Sequence, residues 1–406
     1  MAPPRARRAL FASASPAFLF VVVMGVVNLF ADTTYEGGSS IHGPFLATLG
    51  AGAALISLLA GLGEFLGYAL RAVFGWMADR SGRYWPMTFV GYAINLFAVP
   101  GMALAKTLPA AAALVLAERI GRAMRKPTVE TMLSYTTGEL GRGWVYGLNT
   151  ALDETGATLG PILMTVVLLR GGDYRTGYAV LLVSAVLALA FLVAARRAFP
   201  LPSRLETTPA ATARGFGRPY WLFMAAASLF AAGLLSFELV GYHWTRVGPF
   251  SPRWVPLVLA LSTAGGVVAN LVLGRLYDRI GLPVVLTAVV LSAAFSPLTF
   301  FGGVGWAIVG MLLWGVGYAT QDTLFKAIIA GLLPEGRRSL AFGLFYAGYG
   351  GGWLVGAAAS GLLYERSRVA LVVFAAAIQL LSLPLFVAAA RATPHGEPAR
   401  SGLGTP

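Results

Sequence analysis

Gly75-Trp76-Met77-Ala78-Asp79-Arg80-Ser81-Gly82-Arg83 recurs later in the chain as Gly274-Arg275-Leu276-Tyr277-Asp278-Arg279-Ile280-Gly281. Each copy closes a long apolar run, and each sets an Asp-Arg pair between two glycines. A second set of matches falls at one constant offset: Gly121, Glu139, Gly147 and Gly160 are answered by Gly317, Glu335, Gly343 and Gly356. Glycine matches arise by chance in a chain with 50 glycines. A paired Gly-x-x-x-Asp-Arg-x-Gly at equivalent places does so far less easily, and it divides the chain into two related halves.

Working outward, the chain resolves into apolar runs of about 20 residues, the length needed to cross a bilayer. Spans 1 to 6 lie near residues 16–38, 46–74, 84–105, 108–136, 143–169 and 176–195. Spans 7 to 12 lie near 219–245, 254–274, 282–301, 304–332, 339–363 and 368–390. Only 12% of the 406 residues are charged, against about 25% in soluble domains, and mean hydropathy is +0.73. The expected fold is an all-α membrane protein of twelve transmembrane helices in two pseudo-symmetric six-helix bundles. Residues 1–195 form the first bundle, 196–218 an arginine- and proline-rich linker, 219–391 the second bundle and 392–406 a disordered tail.

Charge placement fixes the expected orientation. The termini, linker and even-to-odd loops carry 17 Lys and Arg, against 7 in the loops on the other side. Basic residues stay cytoplasmic, so both ends are expected inside, in a multi-pass protein of the plasma (inner) membrane. The same placement accounts for the net charge of +13 without nucleic acid. Arg5, Arg7 and Arg8 before the first apolar run mimic a secretory leader, but that run continues past residue 28 and reads as an uncleaved span. There are no cysteines, and the three histidines, His42, His243 and His395, are far apart, so no thiol, metal or cofactor chemistry is expected. No Gly-x-x-x-x-Gly-Lys-Ser/Thr motif is present, so neither enzymatic nor ATP-driven action is expected.

The first motif, Gly75-x-x-x-Asp79-Arg80-x-Gly82-Arg83, resembles the signature loop between spans 2 and 3 of the major facilitator superfamily. The resemblance implies secondary transport by alternating access. It also implies that Gly75, Asp79, Arg80, Gly82 and Arg83, with Asp278 and Arg279, latch the halves in the outward-facing state; the plainer reading is a positively charged turn. Asn28-Leu-Phe-Ala-Asp32, Glu118-Arg119-Ile-Gly121-Arg122-Ala-Met-Arg125 and Gly147-Leu-Asn149-x-Ala-Leu-Asp153 resemble a bacterial subgroup identified mostly as transporters or efflux permeases. This chain departs from that subgroup at Lys126-Pro127-Thr128-Val129-Glu130. Gly156-x-x-x-Gly160-Pro161 resembles the span-5 signature of drug/proton antiporters. The matching Gly352-x-x-x-Gly356 is followed by Ala357. Ordinary helix packing is the alternative reading of these glycines.

Ionisable groups at membrane depth are costly and mark a pathway or a buried pair. In the family's architecture spans 1, 4, 7 and 10 line the cavity, which selects Asp32, Glu36, Arg119, Arg122, Glu238 and Asp322; Asp153 joins them from the middle of span 5. Counting about 1.5 Å per residue sets Asp32 level with Arg119. Asp32 is therefore expected to exchange a proton with Arg119 or Arg122 as countercharge, or else to sit in a fixed pair. Asp153 or Glu154 is expected to meet Arg122 or Arg125. Asp322 and Lys326, four apart, are placed to satisfy each other. Tyr242, His243 and Trp244 read as an interfacial belt, and Tyr346, Tyr349 and Trp353 as cavity wall or lipid face. The leading function is proton-coupled export of a small organic solute by a single chain, with the solute and protons as partners. Proton-coupled uptake is the alternative, and a receptor without transport is the third reading.

Overall fold

The computed structural model describes residues 15–140, 142–202, 217–249, 251–326, 328–329 and 338–393. Within those ranges the side chains of 79, 137, 138, 142–144, 146, 147, 278 and 338–343 are outside the description. The expected latch carboxylates Asp79 and Asp278, most of the linker, the tail, Glu335 and the side of Gly343 therefore lie outside the described residues.

Among the described residues all regular structure is helical. The first half comprises α1 (Pro16–Thr48), α2 (Ala53–Ser81), α3 (Tyr84–Gly101), α4 (Leu108–Ser134), the short α5 (Thr137–Leu140), α6 (Arg142–Leu169) and α7 (Tyr174–Ala198). The second comprises α8 (Arg218–Gly233), α9 (Phe237–Val247), α10 (Val255–Ile280), α11 (Leu282–Ala293), α12 (Phe295–Phe301), α13 (Val304–Ala319), α14 (Arg338–Arg366), α15 (Arg368–Leu380) and α16 (Leu383–Ala392). α8 with α9, α11 with α12, and α15 with α16 each make one broken crossing, giving twelve in two halves. Nine stretches among the described residues are apolar and long enough to cross a bilayer. The other three crossings are α4, which carries Glu118, Arg119, Arg122, Arg125, Lys126 and Glu130, α13 with its π turn Thr320–Phe325, and the glycine- and tyrosine-rich α14.

Local chemistry starts and stops these helices. Ser15 Oγ accepts from Phe18 N at 3.2 Å with Pro16 behind it, and Asp173 Oδ1 accepts from Thr176 N at 2.8 Å. α2 and α10 stop at Gly82 (φ 61°) and Gly281 (φ 66°), a left-handed conformation that favours glycine. These are the last glycines of the two repeated motifs, so the repeat places a positive-φ glycine at the end of both helices. Packing repeats too. A Cβ on Gly156 or Gly160 would run into the backbone of Leu29 or Thr33 on α1, and one on Gly352 or Gly356 into Ser228 or Ala232 on α8. Likewise Gly121 abuts Asn95 of α3, and Gly317 abuts Ser292 of α11.

Two spans differ from the expected lengths. α1 runs on to Thr48 rather than ending near 38, despite Gly37, Gly38 and Pro44. Ser40 Oγ donates to Gly37 O at 2.6 Å, and Gly43 is pressed against the Glu238 carbonyl, so tertiary contact stabilises a segment that local propensity alone reads as a turn. The seventh crossing, expected unbroken, opens at Leu234–Ser236. Trp314 Nε1 donates to Leu235 O at 2.8 Å, and Ser236 Oγ accepts from Leu239 N at 3.4 Å. Those bonds satisfy backbone that lipid could not.

The halves meet at the end remote from the termini. α2 lies along α14 there: Glu365 Oε1 accepts from Ala54 N at 3.0 Å, and Ser57 Oγ donates to Ala357 O at 2.7 Å. Beyond Tyr68, α2 exposes Val73, Trp76 and Met77. Replacing Gly156 with Val should lower stability by roughly 1–3 kcal/mol through overpacking. Gly351→Ala, with open space around its Cα, should be near neutral. Thermal unfolding of the purified variants in detergent checks both.

Candidate functional site

α4 supplies the centre of the site. Its basic residues Arg119, Arg122 and Lys126 recur at three and four residues, so they share one face, and Arg125 flanks them. Arg119 is 3% exposed and holds four partners. Nη1 donates to the Tyr35 hydroxyl of α1 and to Glu64 Oε1 of α2; Nη2 donates to Glu238 Oε1 of α9 at 3.1 Å; Nε lies 3.5 Å from Glu118 Oε2. Glu238 also accepts from Ser39 Oγ at 3.5 Å. It sits in the first turn of α9, where the helix dipole favours an anion, so the break in the seventh crossing is what presents this carboxylate. The cluster spans both halves, since Glu238 alone in it belongs to the second.

Asp32 does not meet Arg119 or Arg122. Arg125 Nη2 donates to Asp32 Oδ1 at 2.8 Å. The same guanidinium reaches Tyr92 Oη at 3.4 Å and Asn28 Oδ1 at 3.5 Å, and Asn28 Nδ2 donates to Asn149 Oδ1 at 2.8 Å. Levelling by Cα count failed because helical side chains lean toward their own N-terminus. α1 and α4 run in opposite directions, so Asp32 leans one way and Arg125 reaches the other, and the two meet. Asp153 is likewise held by Lys126, at 2.9 Å, rather than by Arg122 or Arg125. Asp322 and Lys326 pair at 3.0 Å within their own helix.

The remaining expected residues divide. Arg122 is half-buried, its guanidinium 4.0 Å from the Tyr35 ring centroid. Glu36 is half-buried and makes no ion pair among the described residues. Arg80 is exposed and stacks over its own neighbour Trp76 at 5.4 Å, and Arg83 and Arg279 are exposed. Trp244 is buried and donates to Thr299 O, and His243 packs on Phe300 and Tyr364, so this segment is core rather than a belt at the lipid surface. Tyr349 and Trp353 are buried, and Tyr346 (stacked, 5.3 Å) and Tyr349 (edge-on, 5.9 Å) both meet Tyr68 across the seam. Tyr35 and Tyr68 escaped sequence reasoning, and Glu64, counted among the acids at membrane depth, was not carried into the site. A search confined to spans 1, 4, 7 and 10 drops span 2, yet a glutamate at depth in span 2 was itself the signal.

The sequence matches the profile of the Major Facilitator Superfamily over residues 9–325 and 222–405. The chain belongs to that superfamily. It is therefore a transporter and not an enzyme. An uncharacterized protein of Mycobacterium tuberculosis is 35% identical over 380 residues, covering 92% of this chain and 93% of that one. An uncharacterized MFS-type transporter of Methanocaldococcus jannaschii is 24% identical over 382 residues, covering 90% and 94%. Among solved structures, a mutant of the nucleoside transporter NupG superposes with TM-score 0.73 at 13% identity, over 91% of this chain and 99% of that one. A mutant of the peptide transporter POT bound to alafosfalin gives 0.73 at 14%, over 91% and 93%. At these identities the structures share the fold alone.

Removing one member of the buried Asp32–Arg125 pair strands the other charge. Asp32→Asn or Arg125→Ala should each cost about 3–5 kcal/mol, and the double variant less than the sum. A double-mutant cycle on thermal unfolding in detergent measures the coupling.

Proposed function

We propose that this transporter is a proton-coupled secondary carrier that exports a small organic solute by alternating access. The observation that carries the coupling is the Arg119 cluster. One buried guanidinium meets Glu64, Glu118 and Glu238, so the site holds surplus negative charge, and a proton is the smallest charge that offsets it. Only Glu238 comes from the second half. When the halves rock apart at this end, Glu238 leaves Arg119, and a carboxylate parted from its cation in a low-dielectric site binds a proton rather than stay ionised. Coupling is thereby tied to the conformational change. Asp32, locked to Arg125 within the first half, is assigned a structural part in holding α1 against α4.

Export is read from Gly156-x-x-x-Gly160-Pro161. Its glycines pack α6 on α1 as Gly352 and Gly356 pack α14 on α8, so they are common to both halves. The direction therefore rests on Pro161, matched by Ala357 in the second half. Uptake is favoured by a different observation: half-buried side chains of both signs, Arg71, Arg122, Asp322 and Lys326, suit a polar solute. The arginine bias of the loops supports both termini on the cytoplasmic side of the plasma membrane.

The test is a proteoliposome assay with an imposed pH gradient, a solute panel and pyranine trapped in the lumen. Solute moving against the proton flow supports export; solute moving with it supports uptake. Glu238→Gln should abolish solute-driven lumenal pH change while solute counterflow without a gradient persists. Full pH coupling in that variant would remove Glu238 from the mechanism.

A further inference from the structure

We propose that Arg71 and Arg122 form an anion clamp, and that the transported solute carries a carboxylate or phosphate group. The proposal rests on reading the seam between the halves as the solute's route. Arg119, Arg125, Lys126 and Lys326 each have a carboxylate as ion-pair partner. Arg71 and Arg122 have none among the described residues. Their Nε atoms are buried and have no hydrogen-bond partner there. What each has instead is an aromatic face. Arg122 lies over Tyr35 at 4.0 Å; Arg71 lies over Tyr68 at 4.8 Å and over Tyr346 of the second half at 5.7 Å. A ring orients a guanidinium and partly offsets its charge, but leaves the planar N–H fork free.

The two arginines lie in the same stretch of the α2–α4 contact. α2 and α4 run in the same direction, with Gly63 against Arg119 and Gly75 against Pro127, and both arginines fall between those contacts. Both are half-buried rather than sealed, unlike Arg119 and Arg125. Carboxylates of Asp32, Glu36 and Glu64 act on Arg122 from nearby, but neither arginine has a direct ion pair among the described residues, and a solute anion supplies one at the fork. The fork matches carboxylate and phosphate oxygens two at a time. Tyr68, whose hydroxyl accepts from Gln321 Nε2 at 2.6 Å, ties the Arg71 end to the second half, so an anion there touches both sides of the seam.

Thermal unfolding of the purified protein, followed by tryptophan fluorescence, tests this with four probes: benzoate, phenyl phosphate, benzamide and benzylammonium. Benzoate and phenyl phosphate should raise Tm in a concentration-dependent way, and the neutral and cationic probes should not. Arg122→Gln and Arg71→Gln should each shift that dependence about tenfold or more to higher concentration. If the glutamine variants are not monodisperse, Arg122→Lys and Arg71→Lys keep the charge without the fork, and should show the same loss to a smaller extent. Equal protection by benzamide, no anion effect in the unaltered protein, or unchanged dependence in the variants would each overturn the clamp. The readout uses no pH gradient. Failed proton coupling would leave the clamp standing, and a failed clamp would leave the coupling scheme standing.

Discussion

Arg119 is the constraint around which the rest is arranged. A guanidinium cannot be held out of water without acceptors on every side, and this one draws them from α1, α2, its own helix and α9. To deliver Glu238 the seventh crossing must break, and the break leaves backbone polar groups that Trp314 and Ser236 then satisfy. To bring α1 within reach of α9, Gly43 must lie against the Glu238 carbonyl with no side chain between. The extended α1, the open crossing and the close approach of the halves thus follow from one buried charge.

The helix that looks least like a membrane span carries the site. α4 has six ionisable residues between Glu118 and Glu130, too many for a lipid-facing helix, and it is tolerated because α1, α2, α3 and α6 surround it with partners. Two networks use it differently. Arg125, with Asp32, Asn28 and Tyr92, closes on itself inside the first half, so it moves as one body. Arg119 reaches over the seam to Glu238, so it joins the two halves. Burial is nearly equal in the two. What separates the two pairs is whether their members ride on the same half.

The fold was largely legible in the sequence because hydrophobic length, arginine placement and the doubled Gly-x-x-x-Asp-Arg-x-Gly all report on the same bilayer constraint. The repeat also told more than it was read to tell: Gly82 and Gly281 both end their helices at positive φ, and Gly156 and Gly352 make the same packing contact. The site was legible in its residue types but not in its pairings. Asp32, Arg119, Arg122 and Glu238 stood out as costly charges, yet Asp32 was matched to the wrong arginine, since one-dimensional counting ignores which way a side chain leans. Glu64 was left out because it sits in span 2, outside the four spans that the resemblance sets around the cavity. The break before Glu238 left only Ser236 as a trace, a helix cap within an apolar run.

The doubled architecture also explains why the halves are not interchangeable. Gly121 and Gly317 keep the third and fourth crossings of each half in contact, yet α4 is charged where α13 is apolar until its π turn. The first half therefore holds most of the cations at membrane depth, Lys326 apart, and the second contributes Glu238, Gln321 and Tyr346, which reach over to Arg119, Tyr68 and Arg71. A symmetric pair of charged bundles would repel across the seam. Most of these cations find their carboxylates within the first half, and Arg119 alone adds one from the second, Glu238, so its ion pairing joins the halves across the seam.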